Sequence, residues 1–202
     1  VLDQTIARLS PIGAVLALLL VGCTQGGAEV PEPGHTVVDS ILPIEEEIRR
    51  FAAPLGVLPT ALEGGEADAR TLVLRWVRAV ERADTADLGR MHLTPAEFIA
   101  LYYPESRYTS PPWRQSPRLF WFLLTSRSSQ GLTRVLERHG GRPLGYVGHH
   151  CSDEPEHAGR NVVWGRCLVR HVAGTDTVTA QLFGAIIFRD GHYKFYSYAS
   201  DY

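Results

Sequence analysis

The sequence predicts an α+β domain, with helices in the first half of the chain and antiparallel strands in the second. Three observations carry this. Between Ala67 and Ala83 the apolar residues Leu72, Trp76, Val77 and Val80 recur at three- and four-residue spacing, the stripe of an amphipathic helix. After Gly141 the chain changes to strand-like segments separated by turn-forming residues. Within them, Asp190-Gly191 is a two-residue hairpin signal that needs positive φ. The 202 residues include 20 basic and 22 acidic side chains, a formal charge of -2. That length suits one globular domain, and the balance leaves no electrostatic footprint for nucleic acid. An apolar fraction of 45% argues against disorder. Lys194 is the only lysine, a bias toward arginine that reads as genomic base composition.

Taken in order, the first element is an address. Ile12 to Gly22 (IGAVLALLLVG) is uncharged but shorter than the roughly 20 residues of a membrane span, so it reads as the apolar core of a secretory signal. Arg8 is the only basic residue before it and Asp3 offsets it. Leu20-Val21-Gly22-Cys23 resembles the lipobox of bacterial lipoproteins. That resemblance implies a signal peptide over 1–22, a diacylglycerol (and palmitate) on Cys23, and a membrane anchor held by the acyl chains. It also implies a place in the bacterial cell envelope. Thr24 after the cysteine is similar to the pattern of outer-membrane delivery, hence the periplasmic face in a two-membrane cell. Residues 23–36, with TQGGAEVPEPGH after the cysteine, form a lipidated Cys and flexible tether. Residues 37–202 remain as a single α+β globular domain, large enough to bury well over half of its surface.

The helical half begins with Asp39 as a cap, Pro43 in the first turn, then Glu45, Glu46 and Glu47 followed by Arg49 and Arg50, an order that suits the helix dipole. Pro54 to Gly65 reads as loop. The Trp76 helix follows, with Asp84 and Asp87 at its end. Thr94, Pro95 and Glu97 form a capping-box pattern for a short helix carrying Phe98, Leu101 and Tyr102. Arg107 to Gln115 is a Pro- and Ser-rich loop. Ser116-Pro117 opens a further helical run, with Gly131 as an expected kink or break before Gly140-Gly141 ends it.

The strand half divides into Leu144 to Cys151, Asn161 to Val172, Val178 to Phe188 and His192 to Ala199. The Asp190-Gly191 turn sets Phe188 opposite Tyr193, Ile187 opposite Lys194, Ile186 opposite Phe195, and Phe183 opposite Tyr198. Gly184 marks an expected bulge or bend. Helices followed by a curved, mostly antiparallel four-stranded meander give an element order that resembles the nuclear-transport-factor-2 and ketosteroid-isomerase (NTF2-like) superfamily over Glu66 to Tyr202. The resemblance implies a cone-shaped sheet wrapped around helices, often with a pocket inside. A cystatin-like or otherwise novel α+β lipoprotein domain is the alternative arrangement.

With Cys23 lipidated, Cys151 and Cys167 are an even pair in an exported chain. A hairpin turning near Gly159 sets them directly opposite, within disulfide range. The competing reading is zinc on His149, Cys151, Cys167 and His171, with His150 and His157 nearby, although the spacings match no compact zinc signature. No phosphate loop, nucleophile elbow or HExxH is present, and no cofactor is implied. Asp84 and Asp87 could be paired acids, although capping is their commoner role. Tyr102, Tyr103, Tyr108 and Trp113 form an aromatic-rich segment suited to packing or to contact with a ligand or protein, and Trp121 and Trp164 suit core or pocket lining.

Two function classes follow from these residues. One is a non-catalytic, lipid-anchored binding or scaffolding domain, contacting an envelope protein through the Tyr102 to Trp113 segment or the outer face of the last hairpin. The other is a small-molecule binder or cofactor-free enzyme, holding a small hydrophobic ligand between sheet and helices. The first expects an exposed aromatic patch, the second an enclosed pocket with a buried carboxylate of raised pKa.

Overall fold

A computed structural model describes residues 41–201. The expected signal peptide, lipidated Cys23, tether and Asp39 cap all fall outside the described residues. Helix α1 (Ile44–Ala52) starts directly after Pro43, with no side-chain cap; Glu46 instead holds Arg49 and Arg50 at 2.7 and 2.6 Å. Helix α2 (Ala69–Glu81) is capped by Asp68, which accepts from the Thr71 amide at 2.8 Å. Its stripe is buried as expected, with Val73 and Ala79 added to Leu72, Trp76, Val77 and Val80.

Two features of the helical half differ from the sequence reading. Asp84 and Asp87 do not trail off the Trp76 helix. Asp84 caps a separate helix α3 (Thr85–Met91), and Asp87 lies in its first turn. Gly131 is not a kink, because α5 (Pro117–His139) runs unbroken through it for 23 residues. A Cβ at Gly131 would stand 2.1 Å from the Tyr198 carbonyl oxygen and 2.7 Å from the Ser200 amide, so the glycine lets the C-terminal segment press against the helix. The Thr94–Glu97 capping box forms as read, but its helix α4 (Pro95–Glu97) passes at once into a π turn over Phe98–Tyr102.

The four-stranded meander is not what forms. The described residues hold seven strands: β1 (Tyr146–His150), β2 (Glu156–Ala158), β3 (Asn161–Trp164), β4 (Leu168–Ala173), β5 (Asp176–Ala180), β6 (Ala185–Arg189) and β7 (His192–Ser197). They make two open antiparallel sheets, ordered β1-β4-β5 and β2-β3-β6-β7. Asn161 to Val172 and Val178 to Phe188, each expected as one strand, are both interrupted. At the first break Arg166 takes a left-handed φ of 49°, which takes the chain out of the regular extended ladder. At the second, Leu182 and Phe183 leave the ladder for the core, where Phe183 meets Trp76 and Phe195 with ring centroids 5.2 and 4.9 Å away. There is therefore no curved, cone-shaped sheet, and the NTF2-like expectation is corrected to α+β with two open sheets.

The last hairpin keeps the expected register, with Ile186, Ile187 and Phe188 opposite Phe195, Lys194 and Tyr193, around Asp190 and Gly191 at φ 50° and 85°. The register then shifts between Ala185 and Ile186, so Phe183 does not face Tyr198. Two apolar clusters result. One centres on Trp76, Phe183, Phe195 and Tyr198 beneath α2, the other on Phe98, Tyr102 and Tyr103 between α1, α5 and β6.

Candidate functional site

The sulfurs of Cys151 and Cys167 are bonded at 2.00 Å, with Cα atoms 3.9 Å apart. The β1–β4 ladder, with His149 opposite Val169 and His150 opposite Leu168, runs straight into this pair, as the hairpin reading required. Just past it the ribbon changes sheets and continues as β2–β3. Both sulfurs are committed, so neither is a thiolate ligand and the zinc alternative fails. His149 Nδ1 instead meets the Tyr146 hydroxyl at 2.7 Å, and the His171 ring packs edge-on against His139. Among the described residues, no three His, Cys, Asp or Glu side chains are placed to hold a metal.

The six aromatic residues singled out in the sequence do not form one site. Tyr102 and Tyr103 are core, ringed around Phe98, and the Tyr103 hydroxyl donates to the Gln115 carbonyl at 2.6 Å. Trp121 packs on the same Phe98 at 5.0 Å. Trp164 stacks on Tyr193 at 6.0 Å, lining a separate cavity of about 410 Å³ beside His149, His150 and Cys151. Trp113 is the one exposed member of the six, and Tyr108 beside it is half-buried at the rim of the core. Tyr108 lies 4.4 Å from Phe120, and the Arg107 guanidinium sits over both Tyr108 and Trp113, at 5.2 and 5.0 Å.

Beside that rim the first half of α5 is apolar on both sides. Pro117 and Leu124 are buried, and Phe120 and Trp121 are half-buried against the core. Leu119, Phe122 and Leu123, one helical turn apart on the other side, are 48%, 63% and 38% exposed, and Trp113 is 56% exposed. A cleft of about 390 Å³ opens next to Leu123, with Tyr102, Tyr108, Phe120, Arg127 and Tyr196 among its walls. The Tyr102 and Tyr196 rings meet edge-on there with centroids 4.9 Å apart, and burial raises both pKa values above the ordinary tyrosine value.

The most deeply buried charges escaped the sequence reading. Lys194 on β7 donates to both oxygens of Glu97 at 2.9 and 2.8 Å, with side chains 1% and 2% exposed. The same carboxylate also accepts from the Glu63 and Thr94 amides at 2.8 Å. This pair floors a groove of about 710 Å³ walled by Leu58, Glu63 and Arg90. The signal was available: the only lysine of an arginine-rich chain sits between Tyr193 and Phe195 in the last hairpin. A second pair joins Glu105 to Arg189 at 2.9 Å, and Glu105 also accepts from the Arg160 amide and Asn161.

The carboxyls that shift are pulled down. Arg75 at 2.6 Å, opposed by burial and joined by Arg90, holds Asp87 below the ordinary carboxylate range, and Arg189 does the same for Glu105. Asp87 and Asp84 therefore serve as ion-pair partner and cap rather than as paired acids. His92 is the opposite case: burial lowers its pKa to about 4. Its Nδ1 faces the Leu93 carbonyl at 2.8 Å and its Nε2 faces the Ser128 hydroxyl at 3.3 Å.

No family model, curated protein or solved structure matches the chain. Neither the lipoprotein nor the NTF2-like resemblance gains a relative to rest on, and both are set aside. Among the described residues, no helix is long and apolar enough to cross a membrane.

Proposed function

We propose that this protein is a non-catalytic binding domain whose contact face is the first half of α5 together with the loop before it. One observation carries the reading. Leu119, Phe122 and Leu123 stay in water on successive turns of α5, as does Trp113 on the loop just before it, and exposed large apolar residues grouped in this way are characteristic of contact sites. The downward shifts of Asp87 and Glu105 point the same way, since these acids are held ionised by arginines instead of poised for proton transfer. We assign the domain to an oxidising compartment at the cell envelope, supported by the Cys151–Cys167 disulfide.

The test is site-specific photocrosslinking in the cells that make the protein, with a photoreactive residue at Phe122 and, as control, at Val57, which is 95% exposed on another loop. A defined adduct from position 122 and none from 57 is expected. Equal or absent crosslinking at the two positions refutes the reading. A second reading, a small hydrophobic ligand in the cleft, is favoured by the Tyr102, Tyr108, Phe120 and Tyr196 rings among its walls. A retained adduct in the native mass spectrum, lost on Tyr196→Phe, would favour it.

A further inference from the structure

We propose that the α5 face docks on an anionic lipid surface, an inference that rests on the contact-face reading above and names its partner. Between Glu105 and Glu137 the sequence holds Arg107, Arg114, Arg118, Arg127 and Arg134 and neither Asp nor Glu, in a chain whose overall charge is -2. Three of these are engaged. Arg114 meets Glu47 at 3.3 Å, Arg107 lies 3.8 Å from Glu156 while covering Tyr108 and Trp113, and Arg134 points to the Ser200 carbonyl. Arg118 and Arg127 make no hydrogen bond or ion pair among the described residues, and both are exposed.

Their positions bracket the apolar patch. Arg118 precedes Leu119 and lies one turn from Phe122, and Arg127 lies one turn beyond Leu123. The nearby carboxylates Glu47 and Glu156 already face Arg114 and Arg107, so the charge of Arg118 and Arg127 is left for something outside the chain. The complementary partner is therefore acidic and offers apolar depth for Leu119, Phe122 and Trp113 without a shaped pocket. A lipid interface with anionic headgroups meets both needs: aliphatic and aromatic side chains enter the acyl boundary while flanking arginines stay at the phosphates. Trp113, with Arg107 over its ring, is the residue type favoured at that depth.

The full chain is mixed with phosphatidylcholine vesicles, with and without phosphatidylglycerol, carrying bromine on the acyl chains. Tryptophan quenching is then followed. Trp76 is fully buried, whereas Trp113 is 56% exposed on the loop four residues before α5. Quenching that requires phosphatidylglycerol, disappears in molar salt where screening shortens to about 3 Å, and is lost in Trp113→Phe is the expected result. Arg118→Gln with Arg127→Gln should weaken apparent lipid affinity roughly 25-fold, about fivefold for each charge, and Phe122→Ser should weaken it without changing the salt dependence. Vesicle binding that leaves Trp113 unquenched places the contact elsewhere and overturns the proposal. So does equal quenching on neutral vesicles, or a dimer crosslinked through Phe122. Absence of lipid docking together with a protein adduct from position 122 in cells would remove the lipid inference and leave the contact-face reading standing.

Discussion

Removing the ammonium of Lys194 should be among the most damaging single changes in the domain. In Lys194→Met the Glu97 carboxylate, 2% exposed, loses the two hydrogen bonds at 2.9 and 2.8 Å and, among the described residues, its one ion-pair partner. It keeps the amides of Glu63 and Thr94 and the Thr94 hydroxyl. Those donors carry no formal charge and cannot neutralise it. Breaking one side of a buried pair costs about 3–5 kcal/mol, against roughly 8–15 kcal/mol of total stability for a domain of this size. The midpoint of thermal unfolding should fall by roughly 10 °C. Glu97→Gln should cost a similar amount, and the double variant should be less damaged than the two losses added, by more than about 1 kcal/mol. Urea denaturation of the three variants reads this directly. Because Lys194 is the only lysine, an amine acylating reagent gives an independent check: in the folded protein it should modify the chain's α-amino group and spare Lys194 until denaturant is added. Additive losses, a Lys194→Met variant within about 1 kcal/mol of the wild type, or fast native labelling of Lys194 would refute the argument.

Stability should also fall in mild acid through His92. Burial drops its pKa from 6.5 to about 4, so between those values the unfolded chain binds the proton and the folded one does not. The contribution is complete above pH 6.5 and is lost progressively as pH falls to about 4, by about 3 kcal/mol in all. His139 and His149 shift in the same direction, so the measurement is the flattening of the pH dependence in His92→Gln, and an unchanged slope would count against it. For Gly131→Ala, helix propensity alone forecasts a gain of about 1 kcal/mol, whereas a Cβ 2.1 Å from a backbone carbonyl forecasts an overpacking loss of up to about 3 kcal/mol; a net loss is expected, and a higher melting temperature would refute the close approach. Replacing Cys151 and Cys167 together by alanine should cost about 3 kcal/mol for a link spanning 16 residues, and an unchanged urea midpoint would show that the bridge does not stabilise the fold.

Features set by neighbours along the chain were legible without coordinates. The buried stripe of α2 follows from helical period, the Thr94–Glu97 box from capping chemistry, and the register of β6 with β7 from a turn whose two residues accept positive φ. The disulfide belongs here too, because a hairpin register carries two cysteines opposite each other once its turn is placed. The sheet division was not legible. Whether Asn161 to Val172 is one strand or two depends on Arg166, next to the bridged Cys167, adopting a left-handed backbone, which a non-glycine residue seldom chooses by local preference.

The candidate site shows the same boundary. Phe120, Trp121, Phe122, Leu123 and Leu124 are consecutive apolar residues, so periodicity cannot rank them. Which face meets water was decided by α1 and the Phe98 ring packing against the other one. Tyr103 and Trp113 looked alike as members of one aromatic segment, yet one is core and the other surface. Lys194 and Glu97 stand far apart in the chain, and nothing in either neighbourhood announces the other. By itself the sequence determined the buried stripe of α2, the Thr94–Glu97 cap, the last turn and the cysteine pairing, because these depend on bonding and spacing over a few residues. The tertiary structure alone decided the two sheets, the buried ion pair and the exposed face of α5. Burial is a property of what packs against a residue, and that is settled only when distant segments compete for the same apolar surface.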